Sequence, residues 1–166
     1  MEMMDMALKI STGLQRQMLG GVMGAVTTTA SLEHGILRLY SGTQPASADA
    51  AATGTLLMEI TVASGAFVHG SATNGLDFEL SGKSLIKSSS EVWSGVGLAA
   101  AGTGTTVGWC RFCGNPTDAG GISTTLPRID GRVSTTGAEL NLSNLTIVSG
   151  ASTTVDSWSL AFPSTL

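Results

Sequence analysis

The sequence predicts a mainly β protein: an antiparallel β-sandwich, jelly-roll or immunoglobulin-like in topology, with a short N-terminal helix or arm. Three observations predict it. Ser and Thr together supply roughly a quarter of the 166 residues and Gly adds 22, whereas charged residues reach only 12%, about half the usual share. Short apolar runs, several of them alternating, recur at regular spacing between Gly, Asn, Pro and Ser, the pattern of strands joined by turns. Only one stretch, near the N-terminus, has helical periodicity. The length suits one compact domain, divided here into an N-terminal helix and flexible arm over residues 1–30 and a single β-sandwich domain over 31–166.

The opening Met1-Glu2-Met3-Met4-Asp5 has the wrong sign for a secretory signal, so a cytoplasmic product is expected. From Ser11 to Met23, the residues Leu14, Met18, Leu19, Val22 and Met23 gather on one side of a helix that Ser11 or Thr12 would cap. Gly20, Gly21 and Gly24 weaken and end it. The apolar run Met18–Val26 is too short to span a bilayer. A strand over Ile36–Tyr40 follows and stops at Ser41-Gly42-Thr43-Gln44-Pro45, and 46–54 reads as a surface loop. In Leu56–Val62, Leu56, Met58, Ile60 and Val62 share one face and Glu59 and Thr61 the other, a half-buried strand. Leu76–Leu80 alternates in the same way. Further strands are expected over Ser84–Lys87, Glu91–Leu98, Thr105–Cys113, Arg128–Val133, Glu139–Leu142, Leu145–Val148 and Thr154–Phe162. In the last, Trp158, Leu160 and Phe162 share a face and Pro163 ends pairing for want of an N–H.

Few residue patterns here carry chemistry. A net charge of −4 supplies no basic footprint for nucleic acid. Cys110 and Cys113 lack the further ligands that zinc requires. Within a strand, residues three apart point to opposite faces about 10 Å apart, too far for a disulfide. They read as buried or half-buried thiols. Ser81-Gly82-Lys83-Ser84 has the wrong upstream glycine spacing for a phosphate loop, and 102–108 reads as a hairpin loop more than a dinucleotide fingerprint. His34 and His69 are the candidate general bases, but no Gly-x-Ser-x-Gly elbow supplies a nucleophile, so structural or solvated roles are expected. Asp77 and Glu79 share a strand face, which suits either a cation site or the wet side of a sheet. Asp118, Asp130 and Asp156 sit among turn residues without a calcium-loop pattern. Asn141 and Asn144 match the glycosylation pattern but are expected to stay unmodified. Trp93, Trp109 and Trp158 raise a sugar-stacking reading, against which stands their placement in alternating strands, where a core needs large residues first. No catalytic residue, metal ligand or cofactor is assigned.

The segment Leu37–Asp49 with Thr53-Gly54-Thr55-Leu56-Leu57 resembles a pattern in small structural proteins of tailed bacteriophages and prophages. The likeness continues through Gly65-Ala66-Phe67, Thr73-Asn74-Gly75-Leu76, Trp93-Ser94-Gly95-Val96, Gly108-Trp109 to Arg111-Phe112, Gly114-Asn115-Pro116, Asp118-Ala119-Gly120-Gly121, Leu126–Gly131 and Val155-Asp156-Ser157. It covers most of residues 31–162. The resemblance implies a virion component without catalytic residues, made in the host bacterial cytoplasm and incorporated into the particle.

The expected function is accordingly a non-enzymatic capsid decoration or cement subunit. A neck, tail or fibre-attachment component is the first alternative, and a carbohydrate-binding module using an exposed Trp the second. Expected partners are other phage virion proteins, the major capsid or neck and tail subunits, and further copies of the chain in a homo-oligomer. Neither nucleic acid nor membrane is expected. Within the arm, Leu14, Met18, Leu19 and Val22 are the candidate partner-binding residues, a stripe that would dock onto a neighbouring subunit.

Overall fold

The computed structural model describes residues 8–22 and 32–161. Their elements run β1 (Lys9–Ile10), α1 (Thr12–Val22), β2 (Ile36–Tyr40), β3 (Leu56–Val62), β4 (Phe78–Ser81), β5 (Ser84–Lys87), β6 (Trp93–Gly97), a 3-10 turn (Ala99–Ala101), β7 (Thr105–Thr106), β8 (Trp109–Cys113), β9 (Arg128–Ser134), β10 (Leu140–Asn141), β11 (Thr146–Ile147), β12 (Ser152–Val155) and β13 (Ser157–Ala161). Over the described residues the protein is mainly β, with a short helix near the N-terminus, as the sequence predicts.

Most strands join one curled sheet in the order β12-β6-β3-β2-β8-β9-β10-β13-β5-β4, with β1 added on β9. The strand β9 holds the curl together: Asp130 and Ile129 pair with β1, whereas Val133 and Ser134 pair with β10. That β9–β10 pairing is parallel, one departure from the antiparallel pattern expected. Because the sheet curls, side chains of β4 and β13 reach those of β6 and β8. Phe78, Trp93, Phe112 and Trp158 form a cluster with ring centroids 4.8 to 6.3 Å apart, most of them edge to face, the arrangement their ring quadrupoles favour. Leu37, Leu39, Met58, Ile60, Ile129, Leu140 and Leu160 complete this core.

Three expectations change on detail. The run Thr105–Cys113 breaks at Val107–Gly108, where Gly108 donates its N–H to the Tyr40 carbonyl. A Cβ on Gly108 would lie 1.9 Å from the Gly42 oxygen, so the chain passes there only without a side chain. As a result β7 pairs with β11 in a separate two-stranded sheet, while β8 joins the large one. The run Thr154–Phe162 breaks at Asp156: β12 pairs with β6 and β13 with β10 and β5, so a single residue carries the chain between distant parts of the sheet. Phe162 and Pro163, like Met23 and Gly24, lie outside the described residues. Finally, β2 and β8 are buried along their whole length, and Leu57 and Thr61 are buried with the apolar face of β3. The inner half of the sheet is covered on both faces.

Residues 8–22 pack on this sheet. Ser11 is fully buried; its hydroxyl caps α1 by accepting from the Leu14 N–H, donates to the Leu126 carbonyl and accepts from the Arg128 N–H. Gly13 packs so closely on Thr125 and Leu126 that an added Cβ would stand 2.5 Å from their backbone.

Candidate functional site

Alternation along the strands places a row of charges on the outer face of the sheet. The register aligns Glu59 of β3, Arg38 of β2, Arg111 of β8, Asp130 of β9 and Lys9 of β1. Arg128, two residues before Asp130 in β9, projects from the same face. Two loops, residues 44–53 and 115–127, lie across these charges where a second layer would be expected.

Arg111 binds Asp130 with Nε 2.6 Å from Oδ1 and Nη2 2.7 Å from Oδ2, both side chains 0% exposed. Arg128 forks onto Asp118 in the same way, with both bonds at 2.6 Å. Each guanidinium spends a further donor on a loop carbonyl: Arg111 on Ala50, Arg128 on Ala48 and Arg38 on Asp118, at 3.1, 3.3 and 2.7 Å. Lys9 donates to the Pro45 carbonyl and the Trp109 indole to that of Thr53. Asp49 closes the set by accepting from the N–H and hydroxyl of Thr12, where the positive end of the α1 dipole favours a carboxylate. Tyr40 stacks on Trp109 at 4.5 Å, and Arg111 lies over the same indole.

The electrostatics follow from burial and pairing. Burial acts to lower the pKa of Arg111, but the hydrogen bond and charge of Asp130 raise it above the ordinary value. For Asp130 burial wins against that attraction and raises the carboxyl. Burial also works to raise Asp118, but its bonds from Arg128 and the Gly120 N–H outweigh it and leave the carboxyl below the usual range. The constellation is thus a set of clamps: rigid arginine forks hold irregular loop backbone against a sheet, with their carboxylates already engaged.

The residues singled out in the sequence fall elsewhere. Cys110 and Cys113 are free and buried on opposite faces, and burial pushes the Cys113 thiol up to about 12 and raises Cys110 as well. Asp77 and Glu79 do not converge. Asp77 accepts from the His34 N–H at 2.6 Å and sits 3.1 Å from His34 Nδ1, pinning His34 in a left-handed backbone conformation at φ 55°. Glu79 binds Ser88 and Ser89. His69 packs edge-on against Phe67. Trp93, Trp109 and Trp158 are all buried, as their placement in alternating strands favoured over a sugar platform: the core and the loop clamps take all three rings.

The stripe Leu14, Met18, Leu19, Val22 is divided. Leu14 is buried in the protein's own core, and Met18 is partly buried against it. Leu19 is 65% exposed, and Val22 ends the helix with its side chain outside what is described.

Nothing in the local pattern around Asp118 and Asp130 marks them as partners of Arg128 and Arg111. The signal was an arginine amid apolar neighbours, as in Trp109-Cys110-Arg111-Phe112-Cys113, since a charge within a strand buried on both faces must be paired.

Among the described residues no three His, Cys, Asp or Glu side chains are grouped to hold a metal ion, and no helix is long and apolar enough to cross a membrane. No protein-family model, curated protein or solved structure matches the chain.

Proposed function

We propose that this protein is a non-enzymatic structural component of a tailed-bacteriophage virion, a capsid decoration or cement subunit held by protein–protein contacts. The observation that carries this reading is the display of large aliphatic side chains on three separate projections. Leu19 on α1, Leu80 on the β4–β5 hairpin and Ile122 on the clamped loop are 65%, 78% and 82% exposed.

Leu80 ends an apolar row that begins in the core: the register aligns Leu160, Leu85 and Leu80 across β13, β5 and β4, and the row runs off the edge of the sheet. Full burial of one such side chain contributes about 1.5–3 kcal/mol. Several modest contacts per subunit, repeated around a symmetric shell, give durable attachment without a deep pocket. The clamped loops present Ile122 on a fixed support. The resemblance to tailed-phage structural proteins over most of residues 31–162 supports the same reading, and a neighbouring virion subunit is the partner it implies.

Particles purified by density gradient from a lysate of the strain carrying the gene, then labelled with antibody to this chain, test the proposal. Label on the capsid surface is the expected result. Label confined to the neck or tail would move the subunit on the particle, and particles devoid of the chain would overturn the assignment.

A further inference from the structure

The strand β12 forms one end of the large sheet, and its free side has a definite chemistry. Gly97 donates its N–H to the Ala151 carbonyl, whereas Leu98 N–H and the Val92 carbonyl turn to Leu57 and Ala63 on the β3 side. Alternation along β6 and β12 therefore commits Thr153 and Val155 to β6 and points the N–H and C=O groups of Ser152 and Thr154 outward. Both residues are exposed, and among the described residues no hydrogen bond reaches that edge.

Nothing in the strand guards it. Edge strands usually carry a charge, a proline or a bulge that discourages pairing, but Ser152-Thr153-Thr154-Val155 has none of these, and its register with β6 is unbroken. At the opposite end of the sheet, β4 carries Glu79, and Lys83 stands in its turn.

We infer that β12 pairs antiparallel with β12 of a second copy, joining two large sheets across a two-fold axis at Thr153. Outward groups must meet outward groups, so the axis sets Ser152 opposite Thr154 of the other copy and Thr153 opposite its own mate. Every facing pair along the free edge is then hydroxyl to hydroxyl, a favourable cross-strand combination. Asp156 falls opposite Gly150, so no like charges meet. The pairing is isologous and closes on itself, so it yields a dimer rather than a fibre. A ladder of three residues, Ser152 to Thr154, is small beside the roughly 1,200 Å² of a stable interface, so the dimer dissociates on dilution and is reinforced wherever copies are held side by side. This inference concerns the purified chain and does not depend on the virion assignment.

The geometry makes the test specific to register. In a pair of this type the Thr153 Cα atoms approach to about 4.5 Å, within disulfide range, whereas the two Ser152 Cα atoms are about 8 Å apart, beyond it. The two native thiols are buried. Under mild oxidation, full-length Thr153→Cys should form a covalent dimer at least tenfold faster than Ser152→Cys. Sedimentation of the unmodified chain should show a concentration-dependent dimer that Thr154→Pro abolishes. That proline removes only an outward donor and leaves the bonds to β6 intact, so its circular dichroism should match the parent. A parent chain monomeric at every concentration, or equal crosslinking of the two cysteine variants, would overturn the pairing.

Discussion

Arg111 and Asp130 are both fully removed from water, and their worth lies in the consequence of separating them. A buried ion pair adds little net stability over a well-packed apolar pair, but deleting one member strands the other charge at a cost of about 3–5 kcal/mol. Asp130→Ala is therefore expected to destabilise the fold by about that amount in denaturant titration, and the double replacement Arg111→Met with Asp130→Leu by much less. Acid sensitivity belongs to other carboxylates. Burial acts to raise Glu139, but hydrogen bonds from Arg132 outweigh it and hold the group low, as Arg128 holds Asp118. Both bind protons less readily folded than unfolded, so their contribution is complete above the ordinary carboxylate range near pH 4 and is lost as pH falls through their depressed values. Melting temperature should fall as pH drops below about pH 4 through the depressed values of these two carboxylates. Asp118→Asn should shrink that fall.

At the scale of elements, local pattern made several strands readable. β3 and β5 occupy the residues that alternation and turn signals marked, and Ser11 caps α1 as its position before the apolar stripe suggested. Breaks set by distant backbone were not readable. Nothing local to Thr105–Cys113 or Thr154–Phe162 reveals that Gly42 crowds Gly108 or that the chain changes partners at Asp156. The loop 44–53 hid its role for the same reason: its small residues carry no signal, and what fixes them are donors on β1, β8 and β9. The helix is tied down by similar long-range contact. Gly13→Ala would gain up to about 1 kcal/mol in helix propensity, yet its methyl would strike immovable backbone at Thr125 and Leu126. Overpacking of that kind costs about 1–3 kcal/mol, so a lowered melting temperature is expected, with weakened amide protection in β1 by hydrogen exchange.

For the whole molecule, the division of labour is between a sealed interior and a plain exterior. Its tryptophans and thiols are buried, and its tightest ion pairs are spent on holding loops to a sheet. What faces outward is largely Ser, Thr, Gly and Ala with a few large aliphatics, a surface that neighbours can cover with little charge to desolvate. Composition made that exterior legible, but not which side chains project from it. As a virion subunit, the protein is proposed to act through those projections. The most direct test is the incorporation of a Leu80→Asp, Ile122→Asp double variant into particles, scored by quantitative mass spectrometry beside the unmodified chain. Both sites are surface positions, so the melting temperature should stay within a degree or two of the parent while incorporation falls at least tenfold. Undiminished incorporation of a folded variant would contradict the account.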